Sequence, residues 1–170
     1  MLQKISCVPN SAEWLEIRRN GIGASDVPIL TGESEYSNPI RLFNQKIGLS
    51  PTKQIESELM FWGHAHEPLL LDHWQYWEKE KDAYIRNYRD GRVVRKYKKN
   101  EGFIYQNEDY PFMFFTPDGI IPAGELDLFG ELLEKDCPLQ AKNINSLVYA
   151  MYGGLPPTYI EQEHAEMIVM

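Results

Sequence analysis

Cysteine is scarce in this 170-residue chain: Cys7 and Cys137 are its two thiols, and they lie far apart. A disulfide framework is excluded on that count, and both read as plain buried side chains. Long apolar runs are missing as well. The longest extend over a few residues, such as Leu69-Leu70-Leu71, so none can span a bilayer. The start, Met1-Leu2-Gln3-Lys4-Ile5-Ser6, has no apolar core of the kind a signal peptide needs. No repeat or low-complexity tract appears, and no linker divides the chain. An excess of basic charge is absent too. The formal net charge of −8 argues against a protein that coats nucleic acid indiscriminately. These absences leave the expectation of a cytoplasmic, reduced protein with one domain over residues 1–170.

What is present suits a soluble globular core, with 43% hydrophobic and 25% charged residues. The charge is uneven. Arg86, Arg89, Arg92, Arg95, Lys96, Lys98 and Lys99 put seven of the seventeen basic residues into fourteen positions, opposed there by Asp90. Such a strip either holds phosphates or is a solvated hairpin face, and composition does not choose between them.

Helical patterns dominate the first half. Asn10-Ser11-Ala12-Glu13 reads as an N-cap followed by a carboxylate, opening a helix to about Arg19. Gly21 to Asp26 reads as a turn leading into a second helix. Pro39 begins a third, with Leu42, Phe43 and Ile47 on its apolar side. Residues from about Glu56 to Lys81 form the longest helical candidate, with Pro68 as a break or kink. The period then changes. Ala83–Arg86, Arg92–Arg95, Phe103–Gln106, Phe112–Thr116, Ile120–Ile121, Leu126–Leu133 and Pro138–Lys142 are β-prone runs between Gly, Asn and Asp. About Thr158 to Met170 is helical again. The class expected is α/β or α+β, with a central mixed sheet flanked by helices.

Chemistry-bearing residues sit at two of the strand candidates. Asp118 lies in Thr116-Pro117-Asp118-Gly119 after an aromatic run, and Gln140 and Lys142 lie two apart in Leu139-Gln140-Ala141-Lys142. On a strand, residues two apart share a face, so Gln140 and Lys142 would project together toward an Asp at a neighbouring strand end. With a helix carboxylate added, such a set can hold a divalent cation through oxygen. The plain readings are a Pro-Asp-Gly turn and a solvent-facing Gln-x-Lys. His64, His66 and His73 raise a zinc reading. His64 and His66 face different ways on a helix, however, and no CxxC accompanies them, so packing, or support of Glu67 from beside it, is the better reading. Trp14 reads as core rather than as a base-stacking platform.

Four blocks in order resemble the lambda exonuclease and YqaJ-like viral recombinase family of the PD-(D/E)xK nuclease superfamily. The first is Trp14-Leu15-Glu16-Ile17-Arg18-Arg19-Asn20-Gly21-Ile22-Gly23-Ala24-Ser25-Asp26, similar to the family's W-x3-R-x2-G-I-x-A/G-S-D/E opening. The second, Phe61-Trp62-Gly63-His64-Ala65-His66-Glu67-Pro68, resembles its helix with G-x3-E. Thr116-Pro117-Asp118-Gly119 with Leu139-Gln140-Ala141-Lys142 resembles S-P-D-G followed by L-E-x-K. The last, Pro157 to Met167, is similar to P-x-Y-x2-Q-x-Q-x2-M.

The resemblance implies a metal-dependent deoxyribonuclease, a 5′-to-3′ exonuclease on linear double-stranded DNA in phage-type recombination. An endonuclease or nickase on the same fold, or a weakened DNA-end or protein-binding module, is the alternative. It implies Mg²⁺, with Mn²⁺ as a substitute. Asp118, Glu67, Gln140 and the Ala141 backbone carbonyl would be ligands, Lys142 the catalytic lysine, and Gln162 a glutamine facing the site. Arg18 and Ser25 match the pair that grips the 5′-phosphate, a role that suits a guanidinium and a helix start. The partners implied are DNA ends and a single-strand annealing protein; homo-oligomerisation is left open. Three departures stand out. Gln140 replaces a Glu, Asp118 and Gln140 are 22 positions apart, and the chain ends at Met170, soon after the Gln162 helix. The family usually runs on, so a shortened domain is expected. The extra length, Pro122 to Asp136, is acidic and is expected to be a two-stranded protrusion.

Overall fold

The computed structural model describes residues 2–50, 57–78, 83–127, 130–142, 144 and 146–170, without the side chains of 59 and 146–148. In chain order the elements are β1 (Leu2–Ser6), α1 (Ala12–Arg19), β2 (Ile22–Gly23), a 3₁₀ turn (Ala24–Asp26), α2 (Val27–Thr31), α3 (Pro39–Lys46), α4 (Glu58–Tyr76) and α5 (Ala83–Asp90). There follow β3 (Lys98–Lys99), β4 (Phe103–Asn107), β5 (Tyr110–Phe115), β6 (Gly119–Ile121), β7 (Cys137–Leu139), α6 (Ser146–Tyr152) and α7 (Pro157–Val169). They gather into two compact units, each built from interleaved segments. The first takes Met1–Gln54, Asn100–Thr116 and Asn145–Met170; the second takes Ile55–Lys99 and Pro117–Ile144.

The first unit holds a four-stranded mixed sheet in the order β1-β4-β5-β2. β1 and β5 both run antiparallel to β4, while β2 pairs parallel with β5. Its core is Cys7, Ile104 and Phe114, with Ile5, Trp14 and Ile17 packed against them. Trp14 is thus a core residue, as its place on the amphipathic α1 suggests. Ser11, one residue later than the expected cap, is the N-cap of α1; its Oγ accepts the Trp14 N–H at 3.1 Å. Asn10 sits at φ +64°, a conformation asparagine tolerates better than most residues. In α3 Leu42 is buried, whereas Phe43 and Ile47 are at least half exposed, so the apolar side expected there is narrower than the sequence pattern. β1 and α6 were not legible as elements.

The second unit holds a three-stranded antiparallel sheet, β3-β6-β7. α4 runs unbroken through Pro68, although the ring removes the N–H that would bond the His64 carbonyl. The expected ends of this helix, Glu56 and Lys81, lie outside the described residues. α5 replaces the strand expected at Ala83–Arg86. Its four-residue spacing explains the outcome. Ala83 and Asn87 are buried together, Tyr84 and Tyr88 stack at 6.0 Å, and Asn87 donates to the Tyr76 carbonyl at 3.0 Å. Arg92–Arg95, also expected as a strand, is irregular. In the Leu126–Leu133 run, Leu126 and Leu132 pair through an isolated antiparallel bridge; residues 128 and 129 lie outside the described residues. Its acidic side chains close local turns: Asp127 accepts the Glu131 N–H at 2.8 Å and Asp136 that of Ala123 at 3.0 Å.

Candidate functional site

The second unit brings Glu67, Asp118, Ala141 and Lys142 together. Asp118 leads into β6, and Gly119 is that strand's first residue. Gly119 has an ordinary strand conformation and is there for space. A Cβ on it would come within 2.9 Å of the Tyr97 ring and 3.2 Å of the Lys98 carbonyl. Lack of that atom lets β3 lie close, with Lys99 paired opposite Gly119. On the other side β7 pairs with β6, Leu139 opposite Gly119, and the chain leaves the sheet there. Gln140 and Lys142 therefore lie beyond β7 rather than on it. The Ala141 N–H donates to Asp118 Oδ2 at 2.6 Å, which holds the segment in place of strand pairing.

Electrostatics show how crowded this corner is. Burial pushes the Glu67 carboxyl above its usual range, and the charge of Asp118 adds to the push; Lys99 and His64 oppose it. Burial also raises Asp118, against the pull of the Ala141 N–H, Lys142, His64 and Lys99. His64 Nδ1 lies 3.9 Å from Glu67 Oε2. A cation would relieve both the burial of the two carboxylates and the push of Asp118 on Glu67. Among the described residues no group of three or more His, Cys, Asp and Glu side chains is placed to hold a metal. Glu67 and Asp118 are the two carboxylates of this corner that could contribute oxygen donors to a divalent cation. Gln140, Ala141 and Lys142 also line a cavity of about 360 Å³ with Leu139 and, on α4, Leu71 and Trp74. His66 stacks on Trp62 at 5.6 Å and His73 lies 4.5 Å from Tyr84, both packing roles.

The basic strip divides by residue. Arg86 and Arg92 pair with Glu78 at 3.7 and 3.5 Å. Arg95 is buried, lying 5.5 and 5.4 Å from the Trp74 and Trp77 rings and donating to the Asp127 carbonyl at 3.2 Å. Lys99 pulls both the Glu67 and the Asp118 carboxyl downward. Sequence reasoning missed it, because nothing in a run of basic residues marks which one a strand carries to a carboxylate.

The first unit brings Arg18 and Ser25 together, the guanidinium Nη2 donating to Ser25 Oγ at 3.1 Å. Arg18 also lies 4.6 Å over the Trp14 ring. Two glycines make room for this. A Cβ at Gly21 would stand 2.7 Å from the Phe112 carbonyl, and one at Gly23 would stand 3.1 Å from the Phe114 ring. The G-I-G spacing thus lets β2 seat on β5, and Asp26 Oδ2 fixes the turn by accepting the Gly23 N–H at 2.9 Å. Burial draws Arg18 below its usual range while Asp26 pulls it back. Lys46, unmarked in the sequence, bonds Asp26 at 2.6 Å. Gln162 belongs to this unit, where its amide donates to the buried Glu166 at 2.9 Å.

Comparison with known proteins agrees with the four blocks. The chain is similar to the uncharacterized protein YqaJ of Bacillus subtilis (strain 168), with 28% identity over 109 residues, 64% of this chain and 29% of that protein. It thus spans under a third of that relative's length. A solved structure, that of LHK-Exo in complex with dAMP, matches at a TM-score of 0.52 with 17% identity, covering 94% of this chain and 68% of the other. At that identity the likeness is one of fold, a mixed α+β arrangement of sheets and helices. No helix among the described residues is long and apolar enough to cross a membrane. The YqaJ-like viral recombinase model matches residues 13–170, nearly the whole length, and the chain belongs to that family.

Proposed function

We propose that this chain is a divalent-metal-dependent DNA nuclease, degrading linear double-stranded DNA in the 5′-to-3′ direction from a phosphorylated end. The observation that supports the reading is the Ala141 N–H donated to Asp118 Oδ2 at 2.6 Å, which holds the segment carrying Lys142 against that carboxylate, with Glu67 near enough to feel the charge of Asp118. Glu67, Asp118, the Gln140 amide and the Ala141 carbonyl would hold Mg²⁺ or Mn²⁺. When bound, such an ion supplies Lewis-acid polarisation of the phosphate and an acidified water. Lys142 orients the attacking water and balances charge on the phosphorane-like transition state. In-line attack of water would break the bond to the 3′ oxygen, which leaves as the 3′-hydroxyl of the released terminal nucleotide, while the attacked phosphate stays as the new 5′-phosphate of the shortened strand. Arg18 and Ser25 grip the terminal 5′-phosphate, a monoester dianion suited to a guanidinium and a hydroxyl. Gln162 would face the reacting strand. The setting is phage-type recombination in the cytoplasm, with DNA ends and an annealing protein as partners and self-assembly as a further property to measure.

Gln140 favours a second reading, a DNA-end or protein-binding module with weakened turnover, since an amide brings one negative charge fewer than a Glu. One experiment separates the possibilities. Linear 5′-phosphorylated duplex and closed circular DNA are incubated with the protein and Mg²⁺ or Mn²⁺. Digestion of the linear form alone supports the exonuclease, and cutting of the circle supports an endonuclease or nickase. Binding without digestion supports the module.

A further inference from the structure

Lys46 ends α3 and turns its ammonium onto the elements that carry Arg18 and Ser25. Nζ donates to the main-chain carbonyl of Arg18 at 2.5 Å and to Asp26 Oδ2 at 2.6 Å, and lies 5.6 Å from the Phe114 ring centre. The same Oδ2 accepts the Gly23 N–H. One cation therefore ties the last turn of α1 to the turn holding Ser25. The pair is withdrawn from solvent, with the Lys46 and Asp26 side chains 21% and 9% exposed. Removing one partner of such a pair leaves the other charge uncompensated.

The charges decide what the tie accomplishes. Arg18 and Lys46 are two cations around the single carboxylate of Asp26, and Asp26 is near enough to act on the guanidinium. Without Lys46, the buried carboxylate would draw Arg18 toward itself, because a guanidinium and a carboxylate match in shape as well as charge. Arg18 would then leave Ser25, and the cluster would be neutral.

We propose that Lys46 is a positioning residue: it occupies Asp26, so that Arg18 with Ser25 presents an uncompensated positive charge to the phosphomonoester of a DNA end. This rests on reading Arg18 and Ser25 as the phosphate-gripping pair. Phosphate contact is the expected use of a guanidinium whose own carboxylate neighbour is already neutralised.

The test is binding without turnover. Duplexes labelled at a 3′ end and carrying either a 5′-phosphate or a 5′-hydroxyl are titrated with protein in EDTA, and anisotropy gives the ratio of the two dissociation constants. Wild type is expected to prefer the phosphate, and Lys46→Met to lose that preference by about tenfold or more. Asp26→Asn combined with Lys46→Met removes both charges, keeps an oxygen for the Gly23 N–H, and is expected to restore the preference. A lysine that only holds the fold would not be rescued this way, and melting curves on all three proteins show whether stability follows. If Lys46→Met does not fold, the double variant still decides, since the proposal requires it to prefer the phosphate. Unchanged preference in Lys46→Met, or no preference in the folded double variant, overturns the role of Lys46. Absence of preference in wild type instead overturns the reading of Arg18 and Ser25, and the proposal with it.

Discussion

The Asp118 carboxylate accepts the Ala141 backbone N–H at 2.6 Å, so one side chain both bears the charge of the site and fixes the segment that carries Lys142. The two duties come apart by substitution. Asp118→Asn keeps an acceptor for the N–H and loses the charge; Asp118→Ala loses both. Cleavage of linear duplex is expected to disappear in each. Only Asp118→Ala should speed hydrogen exchange at Ala141, with a stability loss of about 1–3 kcal/mol by urea denaturation. Equal exchange in both variants would contradict this division.

The charge of Lys142 pulls the Asp118 carboxyl downward against its burial. Lys142→Met, which keeps the chain length and removes the ammonium, should reduce cleavage by about a hundredfold or more. Single-turnover assays with excess protein check it. Undiminished cleavage would remove Lys142 from the chemistry.

The Glu67 carboxyl is pushed upward, first by burial and then by Asp118. A raised folded-state pKa means that stability is fully present at pH below the unfolded pKa and is lost as pH rises through the folded one. In EDTA, Glu67→Gln should therefore melt higher than wild type near neutral pH, with the gap closing as the solution is acidified into the ordinary carboxylate range. Added Mg²⁺ or Mn²⁺ should raise the wild-type Tm at neutral pH and raise that of Glu67→Gln less. Parallel pH profiles for the two proteins would count against the crowding.

Gln140→Glu adds the third negative charge of the family pattern. Affinity for Mn²⁺ should rise by about tenfold, read from the shift of Tm with metal concentration. An unchanged shift, with unchanged cleavage, would place residue 140 outside the cation site.

Gly21→Ala tests the seat of the turn proposed to grip the 5′-phosphate. Its Cβ would meet the Phe112 carbonyl at 2.7 Å and the Phe114 ring at 3.0 Å, and backbone cannot swing aside. A loss of about 1–3 kcal/mol is expected in urea denaturation. No loss would mean that β2 and β5 separate more easily than their packing implies.

Local pattern made much of this legible. The Ser11 region, the Asn38-Pro39 start and the Pro157 helix announce themselves through residues that satisfy or omit the first backbone N–H groups, so α1, α3 and α7 fall where the sequence puts them. The aromatic runs of β4 and β5 were equally plain. The pattern misled where two periods fit the same residues. Ala83 to Arg86 alternates like a strand, yet the four-residue pairs Ala83–Asn87 and Tyr84–Tyr88 make it a helix. Gln140 and Lys142 look like one face of a strand, yet the ladder ends at Leu139.

By itself, the sequence determined the order of chemistry-bearing residues: Arg18 in a capped helix, Ser25 in the glycine-spaced turn after it, Glu67 in a helical stretch, Asp118 beside Gly119, and Lys142 two past Gln140. Such order survives in a one-dimensional record because each motif is a few residues long. Tertiary structure alone decided which charges meet. Lys99 comes opposite Gly119, beside Asp118, because Gly119 lets β3 approach, and Lys46 reaches Asp26 from a separate helix, 20 positions away. Coulombic energy depends on distance and burial, and neither is written in sequence separation.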